Sequence, residues 1–145
     1  MPTVQEVLNN KRTHGVVTAA PETSVATAAR MMVDNKIGSV LVVDGETIRG
    51  IFTERDLLNR VVAAEKDAHL TRLREVMTQT VACATPETKL SECRAVMTRD
   101  RVRHLPVIEQ GRLVGMISIG DILAREVVDQ QETIHYLHEY MYGRV

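Results

Sequence analysis

The sequence predicts an α/β (α+β) fold in which two β-α-β-β-α repeats, related by pseudo-twofold symmetry and packed through their sheets, precede a C-terminal helix. Three observations carry that expectation. First, the chain repeats itself at a fixed distance: Pro21-Glu22-Thr23 returns as Pro86-Glu87-Thr88, Met32 as Met97, Gly50 as Gly115 and Asp56 as Asp121, each 65 positions on (86 − 21, 121 − 56). No insertion or deletion interrupts the match between Pro21 and Leu58. Second, within each copy short β-branched runs alternate with segments whose apolar residues recur at helical spacing. Third, a unit of this length occurring only twice argues for paired half-domains and against an open stack of repeats. Paired halves leave a cleft between them, where a ligand would sit.

Residues 1–14 form an N-terminal segment in which the 65-residue register yields no convincing match. Repeat 1 spans 15–64. It opens with the short apolar strand Gly15-Val16-Val17-Thr18 and bends at Pro21-Glu22, and Thr23 or Ser24 caps a helix whose apolar face is Val25, Ala28, Ala29 and Met32. Ala26 and Thr27 stand where the acidic partner of a capping box would be, so none is expected there. Val40-Leu41-Val42-Val43 and Ile48-Arg49-Gly50-Ile51-Phe52 flank the turn signal Asp44-Gly45 and read as a hairpin running into a helix over 54–64.

A charged connection occupies 65–79, and repeat 2 spans 80–128 with the helical stripe Leu90, Cys93, Val96 and Met97. Pro106, which cannot donate to a sheet ladder, should open its strand or sit at an edge. The tail 129–145 places Ile134, Leu137 and Met141 at helical spacing and holds all three tyrosines, Tyr136, Tyr140 and Tyr142. It reads as an amphipathic helix that crosses to a second subunit.

Composition narrows the function. With 145 residues, 44% of them hydrophobic, the chain can bury a proper core. Its 18 basic and 19 acidic residues are interspersed, so no basic stripe invites nucleic acid. No apolar stretch is long enough to span a membrane, and Met1-Pro2-Thr3-Val4-Gln5-Glu6 lacks a signal peptide's basic start, which reads as cytoplasmic. Cys83 and Cys93 read as buried, unreactive thiols. His135 and His138 lack a ligating partner, so no metal site is expected. No nucleophile–base pair or Walker loop suggests catalysis, and no enzymatic role is expected.

The suggestive element is the strand-to-helix junction, Gly50-Ile51-Phe52-Thr53-Glu54-Arg55-Asp56 and Gly115-Met116-Ile117-Ser118-Ile119-Gly120-Asp121. A helix N-terminus collects free N–H groups and favours an anion. A hydroxyl there adds a donor, and a first-turn aspartate can accept hydrogen bonds from a ribose diol. The same residues could serve only as helix caps. Their appearance twice, each with glycine three positions before the hydroxyl, favours a ligand.

These junctions, the β-α-β-β-α order, Val102-Arg103-His104-Leu105-Pro106-Val107-Ile108 and Val76-Met77-Thr78 together resemble a tandem pair of CBS domains, a Bateman module, from about Val16 to Val128. The resemblance implies an adenosine-containing ligand (AMP, ADP, ATP, possibly NAD(H), or S-adenosylmethionine) bound where the repeats meet. It implies that Asp56 and Asp121 hold ribose hydroxyls, that Thr53 and Ser118 hold phosphate or ribose oxygens, and that strands containing Val17-Thr18 and Ala82-Cys83 flank the adenine. Arg103 and His104 would reach phosphate, Arg55 would add a basic group, and Ile37, Gly38 and Pro106 complete the set. It further implies a homodimer that signals to a separate enzyme or transporter. A structural dimer with empty clefts is the other reading.

Overall fold

The computed structural model describes residues 2–10 and 16–128 of the 145. Gly15, His135, His138 and the amphipathic tail lie outside the described residues.

The chain opens with α1 (Val4–Asn10), followed by the short strand β1 (Thr18–Ala19). In α2 (Val25–Asn35), Ser24 is the cap: its Oγ accepts the Thr27 N–H at 3.1 Å, and Val25, Ala28 and Met32 form the buried face. The strands β2 (Ser39–Asp44) and β3 (Thr47–Thr53) make the expected hairpin, and β1 adds to β2 in parallel, giving a three-stranded sheet in the order β1-β2-β3. From β3 the chain passes directly into α3 (Glu54–Asp56), which continues as a π-helical stretch over Leu57–Val62. After α4 (Leu73–Val76) the pattern returns: α5 (Leu90–Asp100), the hairpin β4 (His104–Glu109) and β5 (Arg112–Ser118), then α6 (Ile119–Val128). Here the cap position is Lys89, which has no side-chain acceptor to offer, and α5 buries Leu90, Cys93 and Met97.

The first strand of repeat 2 differs from the expectation. In repeat 1 the strand expected over 15–18 is described only as Thr18–Ala19, with Val17 outside it; in repeat 2 Ala82 is likewise outside, and Cys83, unlike its counterpart Thr18, is not in a strand either, so that only Ala84 bridges to Val107. The cause is Pro106. In repeat 1, Leu41 donates its N–H to the Val17 carbonyl at 3.3 Å, part of the β1–β2 pairing. Pro106 stands where Leu41 stands, 65 positions later, and has no N–H to give to Ala82. The remaining pair survives: Ala84 donates to the Pro106 carbonyl at 2.9 Å, and Ile108 donates to the Ala84 carbonyl at 2.8 Å. Pro106 is therefore inside β4, yet on its lightly paired side, which is how a strand tolerates it.

The two lead-in helices are exchanged. α1 packs on repeat 2, where Val4, Val7 and Leu8 join Leu90, Cys93, Leu105, Ile117 and Ile122 in one core. α4 packs on repeat 1, where Leu73, Val76 and Met77 join Val25, Met32, Val40 and Phe52 in the other. The backbone bonds correspond one for one: Val4 N–H to Thr88 C=O and Leu73 N–H to Thr23 C=O, both 2.9 Å, and Gln5 N–H to Pro86 C=O and Arg74 N–H to Pro21 C=O, at 2.9 and 3.0 Å. Val4 and Leu73 are 69 positions apart (73 − 4), whereas the acceptors Thr23 and Thr88 are 65 apart (88 − 23). That four-residue difference is why the repeat register fades before Val16.

Candidate functional site

Each junction folds as a reciprocal cap. Thr53 N–H donates to Asp56 Oδ2 at 3.0 Å, and Asp56 N–H donates to Thr53 Oγ1 at 3.2 Å. Likewise Ser118 N–H donates to Asp121 Oδ2 at 2.8 Å, and Asp121 N–H to Ser118 Oγ at 3.1 Å. This geometry satisfies two orphan helix-end donors at once and is a structural role in itself. The two carboxylates then diverge. Asp56 is 6% exposed and also accepts the Thr78 hydroxyl on Oδ1 at 3.0 Å, with Arg60 Nε 3.7 Å from the same oxygen. Asp121 is half-buried.

The glycines that precede the two hydroxyls have a packing role. A Cβ on Gly50 would stand 2.7 Å from the Thr78 carbonyl oxygen, and one on Gly115 would stand 2.9 Å from Leu8 Cδ2. Each makes room for the exchanged lead-in segment: Ile51 and Thr78 trade backbone hydrogen bonds at 2.9 Å in both directions.

Between the repeats lies a cleft of about 500 Å³. Thr53, Arg55 and Asp56 form its wall from repeat 1, Thr78, Val81 and Ala82 come from the segment entering repeat 2, Arg101 and Arg103 come from the loop between α5 and β4, and His104 opens β4. Gly38 completes it, and of the expected ligand residues Gly38, Thr53, Arg55, Asp56, Ala82, Arg103 and His104 thus share one space. A second cleft, of about 280 Å³, is lined by Ile37, Ser118, Ile119 and Gly120 and shares Gly38, Glu54, Arg103 and His104 with the first. Val17, Thr18, Cys83, Pro106 and Asp121 line neither. Cys83 is exposed, contrary to the expectation of two buried thiols, because without a paired strand its side chain is left at the surface. Cys93 is buried, and burial together with the negative charge of Glu92 pushes its thiol pKa up.

Charge in the larger cleft is mixed. Arg103 lies 3.7 Å from Glu54, the two side chains being 67% and 62% exposed, so this ion pair across the repeats is weak and easily exchanged for another anion. Arg101 sits at the left-handed end of α5 (φ 55), as Lys36 does at the end of α2 (φ 54), and each lines one cleft. Neither was singled out in the sequence, nor was Thr78 as a partner of Asp56. No sequence signal announces these αL caps, because a lysine and an arginine stand where glycine or asparagine is usual. A larger cavity, about 660 Å³, opens on the outer face between α5 and α6. Its arginines are engaged, Arg94 with Glu126, Arg99 with Asp100 and Arg125 with Glu6, leaving little to bind an anion.

Among the described residues no cluster of three or more His, Cys, Asp or Glu could hold a metal ion, and no helix is long and apolar enough to cross a membrane.

Comparison with known proteins agrees with the architecture. The family profile described as CBS domain matches residues 4–63 and 73–128. The structure of a protein with CBS domains from Burkholderia ambifaria MC40-6 superposes with a TM-score of 0.85 at 40% identity, covering 89% of this chain and 96% of that one. The CBS domain-containing protein CBSX3, mitochondrial, of Arabidopsis thaliana is 32% identical over 83% of this chain, which spans 61% of that relative's length. At 21% identity and a TM-score of 0.75, the CBS domain pair of protein MJ0100, in complex with 5′-methylthioadenosine and S-adenosyl-L-methionine, shares the fold, with 90% of this chain and 98% of that one covered.

Proposed function

The chain belongs to the CBS-domain family as a tandem pair, a regulatory module, and from that premise we propose that it senses an adenosine-containing nucleotide (AMP, ADP or ATP, or NAD(H)) in the cytoplasm and signals to a separate enzyme or transporter. The observation that carries this reading is the 500 Å³ cleft, a volume suited to a nucleotide, with the Thr53 hydroxyl, the Asp56 carboxylate and Arg55 on the repeat-1 side and Arg101, Arg103 and His104 on the repeat-2 side. Thr53 and Asp56 stand where a ribose diol would be met, Val81, Ala82 and Val102 supply apolar surface for a base, and Arg55, Arg101, Arg103 and His104 supply charge for phosphate. To engage Asp56, a ribose hydroxyl must take the place of Thr78 on Oδ1 or share that oxygen. Ser118 is the counterpart of Thr53 at the smaller cleft, and Asp121, which does not line it, would have to reach a ligand from beside Ser118.

Sensing requires that the ligand bind two conformations unequally. Leu58 offers a route: it lines the cleft, yet is 61% exposed on the same helical stretch as Val62, at 62%. Its repeat-2 counterpart Leu123 is 49% exposed on α6. This apolar pattern, presented by both repeats, suits a homodimer whose surface would feel cleft occupancy.

Glu54 and Asp100, one from each repeat, also line this cleft and favour a second reading, S-adenosylmethionine, whose sulfonium and ammonium charges a carboxylate would attract. Calorimetry of the full chain against AMP, ADP, ATP, NADH and S-adenosylmethionine separates the readings. Saturable binding of a phosphate-bearing member is the expected result. Preference for S-adenosylmethionine moves the assignment to the second reading, and failure of the whole panel to bind returns the protein to a structural dimer.

A further inference from the structure

We infer that the groove between α5 and α6 receives residues 129–142 of a second copy of this chain, which fill in repeat 2 the place that the connection 66–71 fills in repeat 1. The inference rests on the homodimer reading above and adds to it the seat in which the tail is held.

The two repeats treat the first turn of α2 and of α5 differently. In repeat 1 the connection folds back over it: Lys66 N–H donates to the Val61 carbonyl, Ala26 N–H to the Ala68 carbonyl and Val25 N–H to the Thr71 carbonyl, each at 2.9 Å. Ala68 is half-buried there and packs against the core of repeat 1. In repeat 2, 65 positions on, Leu90 N–H finds the Pro2 carbonyl at 3.1 Å. Ser91 N–H, the counterpart of Ala26 N–H, has no acceptor among the described residues. The donors of a first helical turn call for such partners or for water. At this place the cavity of about 660 Å³ opens, lined by Pro2, Leu90, Ser91 and Ala95, with Arg125 and Glu126 from the end of α6 at its edge. The repeat-1 counterparts Val25, Ala26 and Arg30 line none of the cavities described above.

Position in the chain identifies what is missing. The connection follows the closing helix of repeat 1, and the counterpart of 66–71, 65 positions on, is 131–136, in the tail. Ile134, Leu137 and Met141 give the tail an apolar stripe to lay in a groove. No lysine or arginine occurs in 129–142, so nothing there repels Arg94, Arg99 and Arg125 around the groove. The route differs from that of repeat 1, where the chain reverses soon after the helix, at Glu65 with φ 58. The tail holds neither glycine nor proline before Gly143, and its apolar spacing keeps the helical period, which carries it past a groove bordered by its own preceding turn. It departs from α6, whose exposed Leu123 belongs to the surface read above as dimer-forming. One groove and one tail per chain then close as a symmetric pair, each copy seating the tail of the other.

The test uses the full chain, one groove variant, Ala95→Arg, and one tail variant, Leu137→Asp, compared by sedimentation. Ala95 is exposed on α5, so an arginine there fills the groove without entering the core. Each variant alone should keep its circular dichroism and dimerise roughly tenfold more weakly than the wild type. An equimolar mixture should recover part of that loss, because the intact tail of the groove variant can sit in the intact groove of the tail variant. Thr98→Arg, also exposed in the groove, takes the place of Ala95→Arg if the latter fails to fold. Absence of recovery in the mixture assigns each groove to the tail of its own chain and overturns the inference. Undiminished dimerisation of both variants overturns it too, since the groove is then no seat. A wild type that stays monomeric at every concentration overturns the homodimer reading itself.

Discussion

Asp56→Ala should destabilise the protein more than Asp121→Ala, by an amount the structure allows to be worked out. Asp56 is 6% exposed and accepts three hydrogen bonds: the Thr53 N–H at 3.0 Å, the Thr53 hydroxyl at 3.2 Å and the Thr78 hydroxyl at 3.0 Å. Losing the reciprocal cap costs about 1–2 kcal/mol, and leaving the Thr78 hydroxyl without its acceptor adds roughly 1 kcal/mol. The total is about 2–3 kcal/mol. For a chain of this size that corresponds to a fall in Tm of roughly 8–12 °C. Asp121 is half-buried, so water can replace much of what its carboxylate provides, and about 1–1.5 kcal/mol is expected. Urea titration followed by circular dichroism, with and without AMP, measures both losses. Equal destabilisation by the two variants would refute the reasoning that burial and Thr78 distinguish these aspartates. The same experiment guards the ligand assignment: AMP binding by Asp56→Ala must be measured well below its own Tm, because a ribose contact and a fold contact are lost together.

Leu8→Ala should cost about 2–4 kcal/mol, since Leu8 is 8% exposed in the core of repeat 2 and fills the space over Gly115; a loss below about 1 kcal/mol would mean that α1 is not part of that core. Ellman's reagent at pH 8 should modify Cys83 in the native protein and Cys93 only in denaturant, and simultaneous reaction of both thiols would contradict the assigned burial. Although Cys83 is exposed, the protein around it desolvates its sulfur and raises its pKa, so its thiolate fraction, and with it the rate, should keep climbing above pH 8. Truncation after Val128 removes Ile134, Leu137 and Met141, which lie outside the described residues. Sedimentation of the shortened chain should show weakened dimerisation, and undiminished dimerisation would assign the interface to the repeat helices alone.

Where one register governs, structure could be read from sequence. The apolar stripes Val25, Ala28, Met32 and Leu90, Cys93, Met97 became the buried faces of α2 and α5 because their positions are set by helical period alone. The hairpins followed from β-branched runs around turn residues. What escaped depends on tertiary exchange: Leu73, Val76 and Met77 look like the end of a charged connection until repeat 1 closes over them, and their likeness to Val4, Val7 and Leu8 is hidden by the four-residue shift. The packing role of the junction glycines is hidden for the same reason, as the group that crowds Gly115 lies more than a hundred residues earlier in the chain. Pro106 was legible as an edge residue. Its effect on Ala82 was not, because it appears only when β4 is set beside its partner.

The exchange of α1 and α4 has a consequence for how the protein is made. Everything in the core of repeat 1, from Ala19 to Met77, is contiguous, so that unit can close as soon as Met77 leaves the ribosome. The core of repeat 2 is split, beginning at Val4 and resuming only at Ala84, so repeat 1 is in effect an insertion within it. Val4, Val7 and Leu8 are therefore made well before the surface they cover, and until Ile122 emerges that surface is unfinished. A circular permutant that starts near Thr80 and joins the original ends, so that 2–10 follow repeat 2, would give each core its own unbroken stretch of chain, and should fold with less exposure to aggregation on the way.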